Sequence, residues 1–259
     1  MLKNTILSLL ILIIGTSPNS QSLLEPYVGN EARITFFGLP DGEATLLETD
    51  QQDNYLINTG DEESYHNLTA ELDELGVKKI NGIILTGETD DYCGNLAKLI
   101  ETYKVKTVFH TGKWERECTK GASIKHIRWS ENDQVQWGEV HVQVVYTDEQ
   151  VMDVLLTIYN TGVLFLTKGN IEEELHILKK NLPFEILKVG AYGSGQSPSG
   201  QFLDETDPHL GIVFSRRGIA VNDGLMERLQ GYWMDLYRLK QTGTTTIEIN
   251  EEQYSVPSD

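Results

Sequence analysis

Apolar residues along this chain gather in short runs, set apart by polar turns and glycines, with helix-like spacing between several of them. Ile83, Ile84 and Leu85 form one such run and predict a buried strand. A polar loop follows, and from Tyr92 the spacing of Leu96, Leu99 and Ile100 predicts a helix with one apolar face. Upstream, 32–37 alternates as a first strand, and 55–57 predicts another. Leu68, Leu72 and Leu75 mark a helix that stops at Gly76. Downstream, strands are expected at 105–110 and 140–146, then a hairpin of 154–160 with 163–167 turning at Thr161 and Gly162. Helices are expected at 171–180 and 225–239, with further strands from Ile186, at 208–215 and at 244–249; the pattern at 113–137 is weak. Strands alternating with helices in two similar halves imply stacked sheets with helices outside.

Composition changes this picture in one respect. The 259 residues include 39% hydrophobic and 23% charged side chains, ordinary for a globular protein, but the net charge is −18. A surface that negative repels polyanions, and no Lys/Arg cluster offsets it, which argues against a general nucleic-acid interface. Residues 1–22 have an export-signal pattern: Lys3, an apolar 6–14 stretch, then small and polar residues. A secreted or cell-surface protein is expected, the alternative being a retained amino-terminal membrane anchor. In that setting Cys93 and Cys118 are a candidate disulfide, against a buried free thiol at Cys93.

The loop after the strand at 83–85 reads Leu85, Thr86, Gly87, Glu88, Thr89, Asp90, Asp91, Tyr92, Cys93, Gly94. It resembles the metal-binding loop of the metallo-β-lactamase superfamily, in the version of the ComEC-like competence proteins, Leu-Thr-His-x-Asp-x-Asp-His-x-Gly. Further stretches match in order. Gly42, Glu43 and Ala44 fit that family's Gly-Asp-Ala turn, and 56–60 fits Leu-Ile-Asp-Thr-Gly. The stretch 164–170 fits Leu-Leu-Thr-Gly-Asp, and 187–194 fits Leu-Lys-Val-x-His-His-Gly-Ser. The resemblance runs from about Ile34 to Ile249 and implies an α/β (α+β) protein, a four-layer αββα sandwich, as a single domain over 32–250.

Relatives of this kind hydrolyse esters or phosphodiesters with one or two metal ions, which lower the pKa of bound water to roughly 7. The resemblance places the corresponding site at Asn58, Gly87, Thr89, Asp91, Tyr92, Asn170, Ala191 and Tyr192, and of these only Asp91 is a good metal ligand. His66, His110, His126, His141, His176 and His209 are scattered, without a metal-binding spacing. Zinc is therefore not expected, and Tyr92 and Tyr192 are expected to fill the emptied cleft, packing together or capping Asp91. A weak calcium site at Asp61, Glu88, Asp90 and Asp91 is the alternative to a solvated acidic rim. Ser194 lies between glycines but lacks a nucleophile-elbow motif and a nameable His/Asp partner. The expected function is that of a catalytically inactive member that binds a protein or small ligand. The alternative is a metal-dependent hydrolase with a remodelled site, linked to competence or DNA uptake.

Overall fold

The computed structural model describes residues 31–112 and 123–257. In chain order the strands are β1 (Ala32–Phe36), β2 (Thr45–Glu48), β3 (Asn54–Ile57), β4 (Gly82–Ile84), β5 (Thr107–His110), β6 (Lys125–Arg128), β7 (Gln134–Trp137), β8 (Val140–Thr147), β9 (Met152–Ile158), β10 (Thr161–Phe165), β11 (Ile186–Lys188), β12 (Leu210–Val213), β13 (Asp235–Arg238), β14 (Thr245–Ile249) and β15 (Tyr254–Ser255). The helices are α1 (Tyr65–Glu74), α2 (Asp90–Cys93), α3 (Leu96–Tyr103), α4 (Ile171–Leu178), α5 (Gly200–Thr206), α6 (Asp223–Gly231) and α7 (Leu239–Thr242).

The strands form two sheets, ordered β15-β14-β1-β2-β3-β4-β5-β6 and β13-β12-β11-β10-β9-β8-β7. In each, antiparallel strands lead into a parallel run: β3 to β6 in one, β10 to β13 in the other. Alternation along each strand sorts side chains into three cores. Ile57 and Ile84 face Val154, Phe165 and Ile186 in the layer between the sheets. Their neighbours Leu56 and Ile83 turn outward against Leu68, Leu72, Leu96 and Leu99 of α1 and α3. On the far side, Leu164 and Leu187 meet Ile177, Phe202 and Leu229 of α4, α5 and α6. Central strands buried on both faces read as unbroken apolar runs, which is why 83–85 carries no alternation. The layers are helix, sheet, sheet, helix, as the motifs imply.

Two expected elements differ. The helix expected over 225–239 ends at Gly231, and 235–238 is a strand, β13, added parallel to β12. Met234 and Leu236 pack on the helix side while Tyr237 packs on the inter-sheet core, a period of two that the longer apolar spacing hides. The hairpin of β9 and β10 pairs Ile158 with Thr161, so its turn is Tyr159–Asn160, with Tyr159 at φ 51, rather than Thr161–Gly162. Gly162 is instead required by close approach, since a Cβ there would lie 2.5 Å from the carbonyl oxygen of Pro183. No helix among the described residues is long and apolar enough to cross a membrane; the export leader expected at 1–22 lies outside them.

Candidate functional site

Loops leaving the carboxyl ends of β3, β4, β10, β11 and β12 converge at one end of the sandwich, the place where parallel strands present ligand-binding groups. Asn58, at the end of β3 and at φ 61, ties two of these loops together. Its Oδ1 accepts from the Thr86 amide at 2.8 Å, and its Nδ2 donates to Thr86 Oγ1 at 2.8 Å. An amide can do both; an aspartate could not donate.

Asp91 sits in the first turn of α2 and is buried. Its Oδ2 accepts the Tyr192 phenol at 2.6 Å and lies 3.2 Å from Arg216 Nη1, while Oδ1 accepts from Thr89 Oγ1 at 2.5 Å. Burial and the neighbouring carboxylates push the Tyr192 and Tyr92 phenols far above their ordinary range, so both remain protonated donors. The two tyrosine rings lie 6.2 Å apart.

Gly87 and Tyr92 fit as a pair. A Cβ on Gly87 would stand 2.7 Å from the Tyr92 ring, so the ring occupies the space a side chain at 87 needs. On the opposite loop Ala191, Tyr192 and Gly193 all have positive φ, at 47, 58 and 69. Two non-glycine residues in succession in the left-handed region store strain that the surrounding contacts must hold, and here the result is to aim the Tyr192 hydroxyl at Asp91.

Asn170 is the N-cap of α4. Its side chain accepts from the Glu173 amide at 2.9 Å, and the Glu173 carboxylate accepts from the Asn170 amide at 3.2 Å, a reciprocal capping box. Beneath it, Asp153 Oδ1 accepts from the Thr167 amide at 2.8 Å. Asp153 and Glu173 are both fully buried, and burial, followed by the nearby Glu173 carboxylate, raises the Asp153 carboxyl well above the usual range.

A further buried charge is Glu43, whose Oε2 lies 2.5 Å from Lys188 Nζ, both side chains being inaccessible. Lys188 also donates to the Leu166 carbonyl at 3.0 Å. Burial outweighs the pull of Lys188 and lifts the Glu43 carboxyl to about 7. Between the ordinary carboxylate range and that value the folded state holds protons that the unfolded chain has lost. Stability therefore falls as pH rises through this window. His110, lowered to about 4 by burial, acts in the opposite sense until the unfolded imidazole is fully deprotonated, and offsets about 0.4 kcal/mol of the change above pH 6.5. Urea unfolding is accordingly expected to show lower stability at pH 8 than at pH 6.5, by about 1 kcal/mol from Glu43 alone and more with Asp153; equal midpoints at the two pH values would contradict this.

The four carboxylates of the calcium alternative do not come together. Asp91 faces inward, Asp61 caps the short 3-10 turn at Glu62–Ser64 by accepting from the Glu63 amide, and the Glu88 carboxylate lies against Gly112. Among the described residues no group of three or more His, Cys, Asp or Glu side chains is arranged to hold a metal. His110 and His126, scattered in sequence, are neighbours across β5 and β6, with ring nitrogens 3.2 Å apart. Cys93 is buried and is not a free thiol; Cys118, its expected partner, lies outside the described residues. Sequence reasoning passed over Arg216, Asp153 and Glu173. A carboxylate inside the apolar run Val-Met-Asp-Val-Leu-Leu was the available signal for Asp153.

No family model matches the chain. Its sequence is similar to ComE operon protein 3 of Bacillus subtilis (strain 168), 20% identical over 257 residues, covering 85% of this chain and 33% of that protein. The chain thus spans about a third of the curated relative's length. The structure is similar to the metallo-β-lactamase fold protein YhfI of Bacillus subtilis, with a TM-score of 0.62 at 10% identity over 85% of this chain and all of that one. The fold is that of the metallo-β-lactamases. A CmlA β-hydroxylase mutant is also similar, with a TM-score of 0.60 at 11% identity, covering 87% of this chain and 55% of that one. The curated relative fits the ComEC-like group of this fold.

The metal ions that the metallo-β-lactamase fold implies do not suit the residues at this site. Gly87 and Ala191 offer no side-chain donor atom. Asn170 is committed to its helix cap, and both phenols stay protonated. The carboxylate of Asp91 is already engaged by a hydroxyl, a phenol and a guanidinium.

Proposed function

We propose that this chain is an exported metallo-β-lactamase-fold protein that acts by binding rather than by hydrolysis. One observation carries the reading: Asp91, the single good ligand kept from the family pattern, is closed off by Tyr192 and Arg216. Metal-dependent hydrolysis needs imidazole or carboxylate ligands with an open coordination position for water. In support, the Tyr92 and Tyr192 rings stand 6.2 Å apart, with Arg216 paired to Asp91 and Lys188 paired to Glu43.

The test uses protein collected from the culture medium, with its amino terminus read by mass spectrometry. The chain is expected to have lost its leader, to take up neither zinc nor manganese stoichiometrically, and to leave nitrophenyl phosphodiesters intact. The alternative, a remodelled metal-dependent hydrolase tied to competence, expects tight metal binding and chelator-sensitive turnover, and either result would overturn the proposal.

A further inference from the structure

A cleft of about 760 Å³ opens beside the site, on the far side of Arg216. Its volume lies in the range of small-molecule sites. Leu39 and Leu239, both buried, give it an apolar floor, and Arg216, Arg217 and Lys240 line its wall. None of the described residues lining it is acidic, although the chain carries 39 Asp and Glu against 21 Lys and Arg. Its lining is thus cationic in a protein of net charge −18, with the carboxylates of Asp91, Glu63 and Asp41 standing behind the two arginines.

The cations remain able to take a ligand. Asp91 engages Arg216 through one terminal nitrogen, and a guanidinium has five donors in a planar fork. The Arg216 side chain is 40% exposed, so it reaches the buried carboxylate and the cleft together. Arg217 pairs with Glu63, but both partners are more than 60% exposed, and a pair of that kind is readily displaced. Lys240 stands on α7 at the cleft wall, and its side chain is exposed. The Arg217 amide is held by Asp41 Oδ1 at 3.2 Å, which fixes the loop that carries both arginines.

We propose that this cleft binds a small organic anion: a carboxylate or phosphate group gripped by Arg216, Arg217 and Lys240, on an apolar body that lies over Leu39 and Leu239. The proposal rests on the binding role inferred above and gives it a ligand class. The two can fail separately, because metal uptake tests the first and anion titration tests the second.

The experiment is calorimetric titration of the full mature chain with phenyl phosphate and with phenylacetate, using inorganic phosphate and phenol as controls. One of the two aromatic anions is expected to bind at one site per chain, more tightly than either control and more weakly as salt is raised. The tighter of the two identifies the anionic group. Lys240→Glu and, independently, Arg217→Gln are expected to weaken binding about tenfold, each removing one charge-assisted contact, while the distant Lys78→Glu leaves it unchanged. The thermal midpoint of each variant confirms folding. No saturable binding at millimolar probe, or binding that both cleft substitutions leave intact, overturns the proposal.

Discussion

Replacing Lys188 by methionine is expected to lower the unfolding free energy by about 3–5 kcal/mol, read as a fall in the urea midpoint at pH 8. Lys188 and Glu43 are both inaccessible, with Nζ 2.5 Å from Oε2. Removing the ammonium leaves a carboxylate in a space that water cannot reach, beside Asp91. The cost is that of an uncompensated buried charge and not the worth of the pair, so Glu43→Gln in the Lys188→Met background should recover most of it. Glu43 then has no charge to strand, and a neutral amide beside a thioether is an ordinary buried polar group. A double variant no more stable than Lys188→Met alone would mean that Lys188 serves through another contact, such as its bond to the Leu166 carbonyl.

The second large effect is a coupling between Gly87 and Tyr92. Tyr92→Ala empties a buried ring and is expected to cost about 3–5 kcal/mol. Gly87→Ala in the native background drives a methyl into that ring at 2.7 Å and is expected to cost about 1–3 kcal/mol as overpacking. In the Tyr92→Ala background the same methyl enters a vacated space, and its cost should vanish or reverse. The cycle therefore predicts a coupling energy of about 1–3 kcal/mol, measured by urea denaturation of the four proteins. Additive costs would show that the ring moves aside freely. The same reasoning explains why a histidine placed at position 87 alone cannot rebuild a metal site: it needs the volume that Tyr92 holds.

Much of the fold was legible because burial on both faces leaves a mark. The runs at 83–85, 163–166 and 186–187 read as central strands, and they are. The edge strand β13 was not legible, since its period of two over four residues lies within a span that also satisfies helical spacing. The candidate site was legible as a set of loop positions, through Asn58, Asp91, Tyr92, Asn170 and Tyr192, and in one interaction, the capping of Asp91 by Tyr192; the other interactions were not legible. Asn170, which the resemblance sets at the aspartate of Leu-Leu-Thr-Gly-Asp, is a helix cap, a role its neighbours Glu172–Glu173 could have suggested. Arg216 lies 125 positions from Asp91 in the numbering of the chain, and no local pattern links the two.

By itself the sequence determined the layering and the order of the motifs, because strand burial and turn chemistry are local properties of residue type. It also determined which donor atoms are missing, since a glycine or an alanine cannot ligate in any fold. Only the tertiary structure decided what stands in their place: two phenols held protonated, Asp91 tied to Arg216, Glu43 tied to Lys188, and a cationic cleft in an acidic protein. Those outcomes depend on distances between remote side chains and on their exclusion from water, and neither quantity is written in a linear order of residues.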